Sequence, residues 1–176
     1  ERASKETWPK YIADHIFAKA WMENTDTVDG DPGLVSPYSS LSTLGTSAAE
    51  RRAVDGKRNL TPAGSGWSTG KDMFLFVEAL RTNRLLSEEM TQRIMTGQGE
   101  VRARDDDGTT TEYGYTMDVV TRKGHREVGH RGDTPGVSTA VRLYPDDGWS
   151  LIILSNYDRV GNIVLMHIED LIAAAD

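Results

Sequence analysis

The sequence predicts an α+β fold in which a helical N-terminal portion precedes an antiparallel β-meander with a C-terminal helix packed on it. Three observations point this way. Apolar residues recur at helical spacing through the first hundred residues, and from Tyr113 the period drops to two. The segments of period two are joined by turns too short for a crossover helix, so neighbouring strands must run antiparallel. The expected division is mainly helix and loop over 1–100, then sheet and closing helix over 110–176.

Taken in order, Tyr11 to Met22 carries Ile12, Ile16, Phe17 and Ala20 at helical spacing. Glu23 to about Pro62 is rich in Asp, Gly, Ser, Thr and Pro and reads as a long loop of the kind that often borders a binding region. A helix restarts at Ser68 or Thr69, with Met73, Phe74, Phe76, Val77 and Leu80 forming an apolar stripe. Another starts at Ser87, where Glu88 and Glu89 suit the positive end of the helix dipole. Leu86, Met90 and Ile94 share a face, and Gly97 is a stop signal.

Tyr113 to Val120 alternates as a strand, and Arg122-Lys123-Gly124 turns the chain into a second, His125 to Arg131. A third places Val137, Thr139, Val141 and Leu143 on one face. After the turn Pro145-Asp146-Asp147-Gly148, Trp149 to Ser155 is apolar on both faces and reads as a central strand. Gly161 to Ala174 closes as a helix with Val164, Ile168 and Leu171 on one side.

Composition narrows the function. The 176 residues suffice for one domain with a real core. The net charge is −7, and no basic stripe offers a nucleic-acid footprint. The mixed-sign run Arg102 to Asp107 reads as a solvated loop. With no cysteine there is no disulfide framework and no thiolate metal site. The longest apolar run, Leu151 to Leu154, is far below the roughly 18 residues of a membrane helix. Glu1 is followed by neither a basic nor an apolar leader, so no targeting segment is visible and the compartment stays unassigned.

The segment Gly129-His130-Arg131-Gly132-Asp133-Thr134-Pro135-Gly136-Val137-Ser138 resembles the third motif of the class C β-lactamase, D-Ala-D-Ala carboxypeptidase and esterase family. There a Lys or His, a variable residue and a Gly lie on a strand beside the active site. Other segments agree in order and spacing. Pro62 to Asp72 resembles the glycine-rich approach to a helix. Ile16 to Thr25 resembles the helix end before a long loop, although Lys19, Ala20 and Trp21 replace the usual Pro, Leu and Gly. Leu151 to Asn156 resembles the strand before the C-terminal helix. The similarity runs from about Tyr11 to Ile172 and implies a partial β-lactamase/transpeptidase-like fold, the C-terminal portion of such a domain.

The resemblance also implies chemistry. The family forms an acyl-enzyme with a Ser, a Lys three residues later and a Tyr-x-Asn, and hydrolyses esters, β-lactams or peptide amides without a cofactor. Those motifs lie N-terminal to the region matched, and Tyr-x-Asn occurs nowhere in this chain. What it would contribute is His130, in the place of the motif's Lys or His. Gly132 would keep the strand wall low, and the backbone N–H of Asp133 would serve the oxyanion hole. Such a donor is worth about 3 kcal/mol to a transition state. Arg131, Thr134, Gly136 and Ser138 are expected at the substrate-binding surface, Arg131 on the face opposite His130. The Asp133 carboxylate would disfavour anionic substrates and favour esters or amides.

Ser68-Thr69-Gly70-Lys71 matches Ser-x-x-Lys literally, but Thr69 followed by Asp72 reads better as a capping box, with Asp in place of Glu. His125 and His130 face opposite sides of one strand, so no shared metal is expected, and His15 and His167 read as surface residues. Trp67 and Tyr38 border either core or cleft. The whole describes a portion of a serine hydrolase, inactive alone and partnered by a missing N-terminal portion, a second chain or another copy of itself. The rival reading is a non-catalytic binding module that keeps the fold. Ser-x-x-Lys and Tyr-x-Asn in the upstream coding sequence would separate the two.

Overall fold

The computed structural model describes residues 1–27, 35–39, 52–53, 61–64, 66–99 and 101–174. Most of the expected loop from Glu23 to Pro62 lies outside them. The first helix runs as α1 (Trp8–Ile12), a π-helical turn (Ala13–Phe17) and α2 (Ala18–Ala20), and stops where Trp21 turns left-handed at φ 61°. Pro9 sits in the first turn, where its missing N–H costs nothing. Two short strands, β1 (Tyr38–Ser39) and β2 (Arg52–Ala53), pair antiparallel.

Helix α3 (Gly70–Arg81) begins where the sequence places it. Thr69 is the N-cap, its hydroxyl accepting from Asp72 N–H at 3.1 Å. The reciprocal half of a capping box is replaced by a longer-range tie. The buried Asp72 Oδ2 accepts from Asn24 N–H (2.6 Å) and Thr25 Oγ1 (2.8 Å), pinning the end of the first helical segment to α3. Ser87 likewise caps α4 (Glu88–Ile94), accepting from Met90 N–H.

Among the described residues the main sheet has six strands in chain order, all antiparallel: β3 (Val101–Arg104), β4 (Thr110–Tyr113), β5 (Asp118–Arg122), β6 (His125–Thr134), β7 (Val137–Tyr144) and β8 (Trp149–Ser155). On one face Val119, Val128 and Leu143 pack with Val77 and Leu80 of α3 and with Met95. Side chains of this size contribute about 1.5–3 kcal/mol each when fully buried. Ala20, Met22 and Ala79 form a second cluster that joins the first helical segment to α3. Helix α5 (Val160–Ile172) covers part of the opposite face through Gly161, Leu165 and Glu169.

Four expectations are corrected. Tyr113 to Val120 is not one strand: β4 ends at Tyr113, and Gly114 N–H donates to the Met117 carbonyl at 2.8 Å across a turn. A side chain at Gly114 would meet the Thr96 carbonyl of the chain leaving α4 at 3.0 Å, so the chain bends at the residue that tolerates the approach. Arg102–Arg104 belongs to a strand that is paired on one side only among the described residues, while Asp105 to Asp107 is the exposed turn expected. Strand β8, read as central, is the sheet's other edge among the described residues. On α5, Val164 and Leu171 point outward; the buried spacing is Gly161, Leu165, Glu169.

Candidate active site

Strands β5 and β6 part company at the Asp118–Gly129 pair, whereas β6 and β7 stay paired to Thr134–Val137. From His130 to Thr134, therefore, β6 has a neighbour on one side only among the described residues, and backbone groups on its other edge are available to a ligand. Strand alternation from the fully buried Val128 places His130 on the α3 face, where its exposed ring meets Tyr113 edge-on at 6.5 Å between centroids. Gly129, beside it, cannot carry a side chain: a Cβ there would land on the Val141 carbonyl. At Gly132 the nearest atom to such a Cβ is Thr139 Oγ1 at 3.0 Å, and that hydroxyl donates to the Gly132 carbonyl.

The odd-numbered residues look the other way. Arg131 is exposed, and alternation assigns it to the α5 face. Asp133 Oδ2 accepts from Asn162 Nδ2 at 2.5 Å. Its carboxylate is thereby tied to α5. Thr134 is exposed. Gly136 is buried at φ +81°, and a Cβ there would meet Pro37 Cβ at 2.7 Å, so only glycine fits this turn. Ser138, expected at the binding surface, is fully buried and its hydroxyl accepts from Asn162 N–H at 3.3 Å. Burial beneath α5 puts it out of a ligand's reach.

Asn162 and Asp158 were not legible as site residues. Asp158 Oδ1 accepts from Gly136 N–H at 2.7 Å and so holds the β6–β7 turn from beneath. The only local signal is an Asp just before a helix; its partner lies 22 residues away. Asp133, Thr134, Pro135, Asp158, Arg159 and Asn162 border a cavity of about 360 Å³ on this side. A larger one, about 670 Å³, lies between the first helix and Thr61, Pro62, Gly64 and Gly66. His130, which the sequence reading placed on the wall of a cleft, lines neither of these two cavities.

Ser68 Oγ shares a 2.7 Å hydrogen bond with Thr25 Oγ1, and Lys71 points to solvent. His125 Nδ1 lies 2.9 Å from Asp147 Oδ2. His15 and His167 are exposed. No cluster of metal-ligating side chains occurs among the described residues. Tyr38 stacks on Tyr157 at 5.5 Å, and Trp67, half-buried, bridges to Asp26.

A sheet of this order, flanked by α3 on one face and α5 on the other, with a glycine-lined open strand end, defines a known class. A family model described as Beta-lactamase matches residues 1–170, and the chain belongs to that family. Among solved structures it is similar to a penicillin-binding protein from Bacillus halodurans, with TM-score 0.76 and 22% identity over 96% of this chain and 51% of that one. It is also similar to the octameric penicillin-binding protein homologue from Pyrococcus abyssi (TM-score 0.73, 17% identity, 89% and 35% of the two chains). A third is a D-stereospecific amidohydrolase from Streptomyces sp. (TM-score 0.70, 21% identity, 92% and 47%). No match is found among curated proteins. The chain spans about half the length of these structures or less.

Proposed function

We propose that this chain is the C-terminal portion of a β-lactamase-related serine hydrolase that cleaves an ester, β-lactam or peptide amide through an acyl-enzyme. The attacking hydroxyl comes from outside these residues. One observation supports the reading: His130 and Asp133 both lie on the stretch of β6 that pairs with β7 alone among the described residues. In this role His130 hydrogen-bonds the substrate or the proton network, while the amide past Gly132 stabilises the developing oxyanion. Gly136, Asp158 and Asn162 hold the strand end in place. Arg131 and Thr134 are left to contact distal parts of a substrate.

The family, the amidohydrolase and penicillin-binding likenesses and the missing Tyr-x-Asn support this division of labour. So does the uncovered apolar surface of β8 and α5, which the absent portion or a partner chain would bury. The test is covalent labelling with a fluorophosphonate and a fluorescent penicillin. The 176 residues alone stay unlabelled. A longer polypeptide bearing the upstream motifs is labelled and loses roughly 10²-fold in kcat/KM on His130→Ala. Acylation of Ser68 in the isolated chain would refute the proposal.

A further inference from the structure

Beneath α5 five charged side chains from four elements converge. Arg122 (β5) places Nε 3.7 Å from Glu127 Oε1 (β6) and Nη2 3.5 Å from Glu169 Oε2 (α5). Arg142 (β7) places Nε 3.9 Å from Glu127 Oε2 and 3.6 Å from Glu169 Oε1, and Nη2 4.0 Å from Asp118 Oδ2 (β5). Glu127, Arg142 and Glu169 are 2%, 3% and 6% exposed, and the buried Tyr144 hydroxyl adjoins them. Among the described residues, Arg122 Nε, Arg142 Nε and Nη1 and the Tyr144 hydroxyl find no hydrogen-bond partner.

So loose a buried ion cluster is a poor stabiliser, since apolar side chains of similar volume hold such a position as well or better. Its charge count suggests another use. Three carboxylates (Asp118, Glu127, Glu169) face two guanidiniums, so a single added proton brings the cluster to neutrality. Glu169 is the one member on α5, and every other member belongs to the sheet.

We propose that this cluster is a proton-operated clamp: one proton held by the Glu127–Glu169 pair keeps α5 seated on the sheet, and its loss loosens the helix. Burial and then the neighbouring Glu169 charge push the Glu127 carboxyl up to about 7, against the lowering pull of Arg122 and Arg142. The unfolded value is about 4.3, so between the two the folded chain binds the extra proton. The stabilisation is complete below the unfolded value and drains away as pH rises through about 7. The clamp thus tightens in mild acid and slackens above neutrality. It also reaches the strand end: Asp158, just before α5, and Asn162, in its first turn, hold Gly136 and Asp133, and a Cβ on Gly161 would meet the Ser138 carbonyl at 2.5 Å. This last consequence rests on the active-site reading; the clamp itself does not.

The experiment is urea unfolding of the 176-residue chain from about pH 5 to about pH 8.5, with side-chain carboxyl NMR of Glu127 over the same range. The wild-type unfolding constant should rise on the order of 10²-fold more than that of Glu127→Gln. The Glu127 resonance should titrate near 7, and in Glu169→Gln should move toward ordinary carboxyl values. Equal pH slopes in wild type and Glu127→Gln, or a wild-type Glu127 titrating near its unfolded value, would overturn the clamp. If Glu127→Gln does not fold, the wild-type titration alone decides. Amide shifts of Gly132 and Asp133 that follow the Glu127 titration support the link to the strand end. Shifts that stay fixed while Glu127 titrates remove that link and leave the clamp standing.

Discussion

Glycines and one buried aspartate set the geometry of the candidate site. Gly129 lies against the Val141 carbonyl with no room for a methyl group, immediately before the histidine. Gly129→Ala should cost about 2–4 kcal/mol, seen as a lower urea midpoint at unchanged slope. An alanine variant as stable as wild type would mean that β6 and β7 are farther apart than described. Gly132→Ala meets only a rotatable hydroxyl and should cost much less. Of the residues singled out in the sequence, His130, Gly132 and Asp133 do share the open strand end. Ser138 does not reach it, because a small polar residue on a strand reads the same whether it faces a ligand or a helix. Asp158 and Asn162 escaped notice since their partners are remote in the chain, where no spacing rule operates.

Among the elements, caps were the most legible features. Thr69→Ala, which removes the only side-chain cap of α3, should lower stability by about 1 kcal/mol in thermal unfolding. Ser68→Ala should lower it less, and a reversed order would contradict the assignment of Thr69 as N-cap. Helices α3 and α4 were readable because their signals are local: a hydroxyl, an acidic first turn and an apolar stripe. Strands β3 and β4 were hidden by polarity, as an edge pair with solvent on several sides lacks the alternation that marks a half-buried strand. The outward-facing apolar residues of α5 misled for the opposite reason. Val164 and Leu171 are as apolar as the buried Leu165, and spacing alone ranks them equally.

At the scale of the whole molecule, β8 ends the sheet among the described residues with Trp149 66% exposed, and α5 presents Ile163, Met166 and Leu171 to solvent, the last 70% exposed. An unprotected edge beside an apolar helix face favours association. Light scattering should show a mass that rises with concentration, and Leu171→Lys combined with Trp149→Lys should reduce it; a monomer at all concentrations would contradict this. The strand order has a further effect on how the molecule comes to be. Among the described residues, consecutive strands of the main sheet pair with one another, and the strand order contains no crossover. Loop closure is therefore cheap at every step, and the ladder can grow hairpin by hairpin from the tight Lys123-Gly124 reversal outward. On a ribosome, the sheet can accordingly form as fast as it emerges, with α5 arriving last to cover a surface already built.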